Sequence, residues 1–211
     1  MARPVLYVLA GVNGAGKSSI GGHLLEQAGL TWYNPDTFAR EFMAETGCDQ
    51  GEANAVAWQE GVRRLDEAIH HCHHYAFETT LGGRTIPAKI KSAAPSHDIH
   101  VWFCGLSSPE SHIARVKARF VTGGHDIPEV KIRERYPRAL ENLITLMPDI
   151  AHLQVYDNSV ECHPGDAVPD PALVIEVASG KLIWPLELAS LRDTPEWAKP
   201  LVEAALLGLR L

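Results

Sequence analysis

The sequence predicts an α/β fold: a three-layer sandwich on a mainly parallel sheet, with a helical lid and a β-hairpin added near the C-terminus. Three observations predict it. An unbroken apolar run, Val5 to Ala10, has the form of a strand buried inside a parallel sheet. Further β-rich segments alternate with stretches of helical periodicity, as right-handed βαβ crossovers require. Late in the chain, two short strand-like segments flank Ser179-Gly180, a hairpin signal. A length of 211 residues fits one domain a little larger than minimal. A single unit over residues 1–211 is therefore expected, with the lid region at about 108–140.

Taken in order, Val5 to Ala10 is expected as the central strand. A helical pattern then runs from Lys17 to about Ala28, where Gly29 ends it, and Leu30 to Asn34 reads as a second short strand stopped by Pro35. Between Glu52 and Cys72, the residues Trp58, Val62, Leu65, Ile69 and Cys72 recur at alternating steps of four and three, which predicts one apolar helix face. Tyr75 to Glu78, Ile99 to Leu106 and Leu153 to Tyr156 are the next strands. Leu173 to Val177 and Lys181 to Trp184 form the antiparallel pair at the sheet edge. A last helix, about Pro195 to Leu209, carries Trp197, Leu201, Ala204 and Ala205 on one face and reads as core packing. No repeat or low-complexity tract divides the chain.

Composition narrows the function classes. Hydrophobic residues make up 45% and charged residues 21%, as in ordinary globular proteins. Nineteen Lys plus Arg against twenty-six Asp plus Glu give a formal charge of −7, so nucleic acid is not an expected partner. Cys48, Cys72, Cys104 and Cys162 form no C-x-x-C pair and suit a reducing compartment. The early apolar run is too short to span a bilayer and leads into glycines, so no membrane association and a cytoplasmic location are expected.

The firmest functional signal is Gly11-Val12-Asn13-Gly14-Ala15-Gly16-Lys17-Ser18. It fits G-x-x-x-x-G-K-[ST] and lies directly between a buried strand and a helix. Glycines let the backbone wrap closely and aim successive N–H groups inward, the helix N-terminus adds partial positive charge, and Lys17 supplies a full one. Gly11, Asn13, Gly14, Ala15, Gly16, Lys17, Ser18 and Ser19 are therefore expected to bind a nucleotide triphosphate, with the Ser18 hydroxyl holding Mg²⁺. The predicted fold thus becomes a P-loop NTPase sandwich.

Ligands of open parallel sheets bind beyond the carboxyl ends of the strands. Two carboxylates are expected there: Asp36, in Asn34-Pro35-Asp36, at the end of the second predicted strand and Glu78 at the end of the third. Asp36 is assigned as the base that takes the proton of an acceptor hydroxyl in in-line phosphoryl transfer. Its alternative is a helix N-cap. Glu78 is assigned, with Thr79, Thr80 and Arg84, to the acceptor side; holding a Mg²⁺-bound water or simply ending a strand are its alternatives. Arg115, Lys117 and Arg119, a Thr122-Gly123-Gly124-His125 turn, then Lys131, Arg133, Arg135 and Arg138 form a local basic excess. This reads as two lid helices whose arginines clamp the transferring phosphoryl group, or else as a solvated face paired with Glu129 and Glu134. His70 to His74 around Cys72 end a helix, where His suits the dipole, and adjacent ligands cannot all converge on one ion. Asp157-Asn158-Ser159 stands where adenine is seated in P-loop kinases, or is an ordinary turn.

These residues together resemble the zeta-toxin-like P-loop kinases, in particular small bacterial zeta toxin family proteins. The resemblance is carried by GVNGAGKSS, Asn34-Pro35-Asp36, Phe77-Glu78-Thr79-Thr80-Leu81, Gly123-Gly124-His125-Asp126-Ile127-Pro128 with Arg133 and Arg135, and Val155-Tyr156-Asp157-Asn158-Ser159. It spans most of the chain. It implies a kinase using ATP and Mg²⁺, with Asp36 as base and Lys17, Arg119 and Arg135 also catalytic, and with Ser18, Glu78 and Thr80 in the site. It further implies a hydroxyl acceptor on a small metabolite such as a UDP-activated amino sugar, and a small antitoxin as partner. The chain departs from the toxins at Glu78-Thr79-Thr80-Leu81-Gly82-Gly83-Arg84, where they carry E-G-T-x-R. Two other readings remain: an ATP-binding regulatory or interaction module, and a toxin of a toxin–antitoxin pair with no metabolite kinase role.

Overall fold

The computed structural model describes residues 3–18, 21, 25, 29–121, 124, 126–160 and 169–208. Six strands form one sheet: β1 (Val5–Ala10), β2 (Tyr75–Thr79), β3 (Asp98–Gly105), β4 (His152–Asp157), β5 (Ala172–Ala178) and β6 (Lys181–Trp184). Their order is β2-β1-β3-β4-β5-β6. The first four are parallel, and β5 and β6 are added antiparallel as the hairpin expected from Ser179-Gly180, both at positive φ. The helices are α1 (Pro35–Thr46), α2 (Gln50–His71), α3 (Thr85–Ala93), α4 (Pro109–Val121), α5 (Glu129–Leu146) and α6 (Lys199–Leu207). Lys17, Ser18, Gly21 and Leu25 are also helical. The mixed six-stranded sheet with helices is the α/β architecture the sequence predicts.

The strand period sorts the sheet into two faces. Leu6, Val8, Ile99, Val101, Phe103, Leu153, Val155 and Ile175 are buried in one cluster with Leu65 of α2, Ile90 of α3, Ile132, Leu143 and Leu146 of α5, and Leu201 of α6. The opposite face carries half-buried rings: Tyr7 stacks on Trp102 and meets His100 edge-on, and His100 meets His152. Burying the apolar face at roughly 25 cal/mol per Å² is the main force holding these helices to the sheet.

Four expectations need correction. Leu30 to Asn34 is not a strand: only Tyr33 pairs, donating its N–H to Ala76 O at 2.8 Å and accepting from Glu78 N at 2.9 Å. Asn34 turns instead to capping α1, and Pro35 has no N–H to give. β1 lies second of six in the sheet rather than at its centre, because the hairpin extends only the far side. The buried stripe of α2 is Ala53, Ala57, Leu65 and Ala68, while Trp58 is 52% exposed. Alanines face α1 because Ala39, Ala53 and Ala57 let the two helices approach closely. Cys72 is not on the helix but caps it at φ 53, exposed. Helices α4 and α5 occupy the stretch expected as the lid, α5 running on to Leu146, and the expected terminal helix begins as a 3₁₀ turn at Glu196–Ala198 before α6.

Among the described residues, no helix is long and apolar enough to cross a membrane. No group of three or more His, Cys, Asp or Glu among them is placed to hold a metal ion. His70, His71 and His73 are exposed at the end of α2, and His74 Nδ1 accepts a hydrogen bond from Val5 N at 3.0 Å.

Candidate functional site

The Gly11 to Ser18 loop turns between β1 and the helix opening at Lys17, at the carboxyl end of the sheet. Neighbouring strands fix its path. Gly11 sits at φ 141, and a Cβ there would stand 2.2 Å from Cys104 O at the end of β3. Gly16 sits at φ 90, with the place of its Cβ 2.4 Å from Asn158 Nδ2. Backbone fills the place of a side chain at Gly11, and the positive φ of Gly16 strains any other residue there, so the motif's glycines are favoured by close approach as well as by turn geometry. The Ala15 carbonyl accepts from Asn158 Nδ2 at 2.8 Å and from the Cys104 thiol at 3.0 Å. Burial pushes that thiol up to about 12, so it stays a protonated donor. His112 of α4 is 1% exposed and its Nδ1 lies 2.9 Å from Asn13 O. A carbonyl only accepts, so Nδ1 carries the proton. Burial lowers the imidazole to about 4, against the opposing effect of that hydrogen bond, and His112 is neutral.

At the mouth of this loop, Glu78 collects three donors. Lys17 Nζ is 3.3 Å from Oε1 in a pair buried on both sides, Ser18 Oγ donates to Oε2 at 3.0 Å, and Asn34 Nδ2 donates to the same oxygen at 2.9 Å. Asn34 works at both ends, since its Oδ1 accepts from Asp36 N at 2.9 Å and Thr37 N at 3.1 Å and so caps α1. The cap role therefore belongs to Asn34, and Asp36 occupies the first turn with its side chain bordering the cavity described next.

A cavity of about 510 Å³ opens beside the loop. Lys17 lines it from the end of the phosphate loop, Asp36 from α1, Trp58 from α2, Glu78 and Thr79 from the end of β2, Thr80 and Arg84 from the segment after β2, and Lys131, Glu134, Arg135 and Arg138 from α5. Thr79 Oγ1 accepts from Leu81 N at 3.1 Å and Thr80 Oγ1 from Gly82 N at 3.4 Å, which leaves each hydroxyl proton free to donate. Arg135 Nη1 donates to Asn13 Oδ1 at 2.7 Å, tying α5 to the phosphate loop. Its burial lowers the guanidinium pKa, partly offset by the charge of Asp36.

The basic cluster divides in two. Lys131, Arg135 and Arg138 face the cavity, whereas Lys117 pairs with Glu129 and Arg133 with Glu110 at 2.6 Å, bridging α4 to α5 in solvent. Arg115 donates to Asn158 O at 2.6 Å and Val160 O at 3.0 Å and so anchors the turn after β4. Arg119, Gly124 and Asp36 line an adjoining groove. Asn158 is placed against the loop by its bond to Ala15. Ser19, Thr122, Gly123 and His125 lie outside the described residues. Sequence reasoning missed Asn34, His112, Trp58 and Asn142 as parts of this region. Asn34 alone left a local signal, an Asn directly before Pro and Asp.

No family model matches the chain. An uncharacterised protein of Haemophilus influenzae is 26% identical over 144 residues, 64% of this chain and all of that protein. Among solved structures, a chain of the AvrRxo1-ORF1:AvrRxo1-ORF2 complex with sulphate ions matches with TM-score 0.62 and 16% identity over 92% of this chain and 64% of that one; the same complex with ATP gives the same figures. The PezAT chromosomal toxin–antitoxin system of Streptococcus pneumoniae matches with TM-score 0.56 and 14% identity over 99% of this chain and 85% of that one. The chain thus spans about two thirds of the AvrRxo1 chain. At these identities the likeness is one of fold alone, an α/β sandwich on a mostly parallel six-stranded sheet.

Proposed function

We propose that the protein is an ATP-dependent phosphotransferase of zeta-toxin-like type, moving the γ-phosphoryl group to a hydroxyl of a small metabolite. One observation carries this reading: Lys17 at the mouth of the phosphate loop and Asp36 line one cavity, with room beside them for a second substrate. The ATP-bound fold relative supports the choice of nucleotide. In the reaction, loop amides and Lys17 gather the β- and γ-phosphates, and an acceptor hydroxyl attacks phosphorus in line from the cavity. Asp36 takes the hydroxyl proton as the bond to ADP breaks, and Arg135 offsets charge on the moving group. Catalysis of this kind is mostly positioning and electrostatics, which suits a site held by main chain on one side and arginines on the other.

The donor set also suits Mg²⁺, a hard cation that takes oxygen ligands: the Ser18 hydroxyl and the Glu78 carboxylate stand 3.0 Å apart beside the loop. When bound, Mg²⁺ would neutralise phosphate charge, with Ser18 holding it and Glu78 reaching it directly or through water. Arg84, Lys131 and Arg138 at the far side favour an acceptor that itself bears negative charge, consistent with a UDP-activated amino sugar. The PezAT likeness supports a toxin setting for the same chemistry, with a small antitoxin as partner.

Asp36→Asn tests the assignment. It should leave ATP·Mg²⁺ binding by calorimetry within about twofold and cut transfer from labelled ATP to a small-molecule extract by about 10²–10⁴. Full transfer by Asp36→Asn removes Asp36 as base. ATP binding by the wild type without any labelled product favours the binding-module reading instead.

A further inference from the structure

The segment that departs most from the toxin motif, Thr79 to Arg84, has a built support. Leu81 is 1% exposed and holds φ 54, a left-handed conformation that is strained for a non-glycine residue and persists only where its surroundings impose it. The surroundings are specific. Asn142 of α5 donates both hydrogens of its side-chain amide to this segment, to Leu81 O at 2.7 Å and Gly83 O at 2.8 Å. Between those carbonyls Gly82 is buried against α5, and a Cβ there would stand 2.6 Å from Arg135 Cγ and 3.0 Å from Arg135 Cα. Arg135, Arg138 and Asn142 fall at helix spacings of three and four, so one face of α5 carries two of its three cavity cations and the amide that grips the loop.

We propose that Asn142 is a positioning residue for the acceptor: it locks the Thr79–Arg84 loop to α5 so that Thr80, Arg84 and Arg135 meet a substrate as one preformed surface. This rests on the phosphotransferase reading above. The argument is geometric. Both amide hydrogens of Asn142 are spent on the loop, none on the cavity, so the residue acts through the loop and not on substrate. The loop cannot rotate away from α5 without losing both bonds, and Gly82 permits the approach that sets where the Arg135 side chain departs. α5 therefore serves as a fixed wall at this height. Gly82, within the segment that replaces the toxins' motif, is what lets the loop lie against it.

Asn142→Asp is the discriminating variant, because it keeps the shape and removes both donors. Three readouts on the full chain separate the outcomes: ATP·Mg²⁺ affinity by calorimetry, transfer from labelled ATP to a small-molecule extract titrated over dilution, and hydrogen exchange of the Leu81 and Gly82 amides. The expected result is unchanged ATP affinity, exchange of those two amides at least about tenfold faster, and an apparent KM for the extract raised about tenfold or more at saturating ATP. Asn142→Gln, which retains the donors, should recover part of the amide protection and of the KM. Normal extract dependence in Asn142→Asp, or ATP affinity falling in step with transfer, overturns the proposal while leaving the kinase reading intact. Absence of labelled product from the wild type removes the kinase reading itself, and the proposal with it.

Discussion

The two sides of the cavity are built by different means. The phosphate loop is held by groups from successive parts of the chain, Cys104 near the end of β3, His112 of α4 and Asn158 after β4, with Arg135 of α5 reaching Asn13. The facing side is assembled from long side chains of α5 and a loop with a strained Leu81, joined by Asn142. Backbone recognition of phosphate is tied to a fixed turn and tolerates almost no sequence change, whereas side-chain recognition can be rewritten residue by residue. On the proposed phosphotransferase reading, that difference is why Gly11 to Ser18 follows its motif while Thr79 to Arg84 departs from the one the toxins carry.

The largest expected effect falls on the first side. Lys17→Ala removes a cation from the loop and also strips Glu78 of its buried partner, so nucleotide affinity in calorimetry and labelled product should both be lost; retention of either would mean that the ammonium does not face phosphate. Gly16→Ala comes next. A Cβ at φ 90 aimed at Asn158 should lower ATP affinity at least tenfold and cost about 1–3 kcal/mol of stability in urea denaturation. An unaffected loop would show that Asn158 yields easily and does not shape it. On the acceptor side, Asp36→Asn and Asn142→Asp should spare nucleotide binding, and that contrast is what divides the two halves.

The smallest effect concerns pH. His112 is neutral in the native protein, with a pKa lowered from 6.5 to about 4, while in the unfolded chain it titrates near 6.5. Between these values the unfolded state binds more protons, so stability present above pH 6.5 is lost as pH falls toward 4, by at most about 3 kcal/mol. Urea midpoints measured across this range should drop less steeply in His112→Gln than in the wild type. Equal slopes would show that His112 protonates without disturbing the loop at Asn13.

How much of this was legible in the sequence follows the same division. β1, the glycine motif and the Ser179-Gly180 hairpin are local patterns, in which turn chemistry and apolar runs act over a few residues, and all three form at the expected residues, although the place of β1 in the sheet, set by long-range pairing, differs from the expected centre. Leu30 to Asn34 misled because a short apolar stretch before proline reads as a strand, whereas the Asn34 side chain found a better use in capping α1 and holding Glu78. Trp58 misled because its periodicity fits a core stripe, while Ala53 and Ala57 supplied the contact that two close helices need and left the indole beside the cavity. His112 and Asn142 had no local signal at all: their partners at Asn13 and at Leu81 and Gly83 are brought to them only by the fold.

One measurement tests the central claim most directly. Wild type and Lys17→Ala are each incubated with ATP labelled at the γ-phosphate, magnesium and a small-molecule extract, and the products are separated. A phosphorylated alcohol formed by the wild type and absent with Lys17→Ala is the predicted result. Label that stays in ATP or appears only as inorganic phosphate with the wild type would contradict the assignment of this cavity to phosphoryl transfer between two substrates.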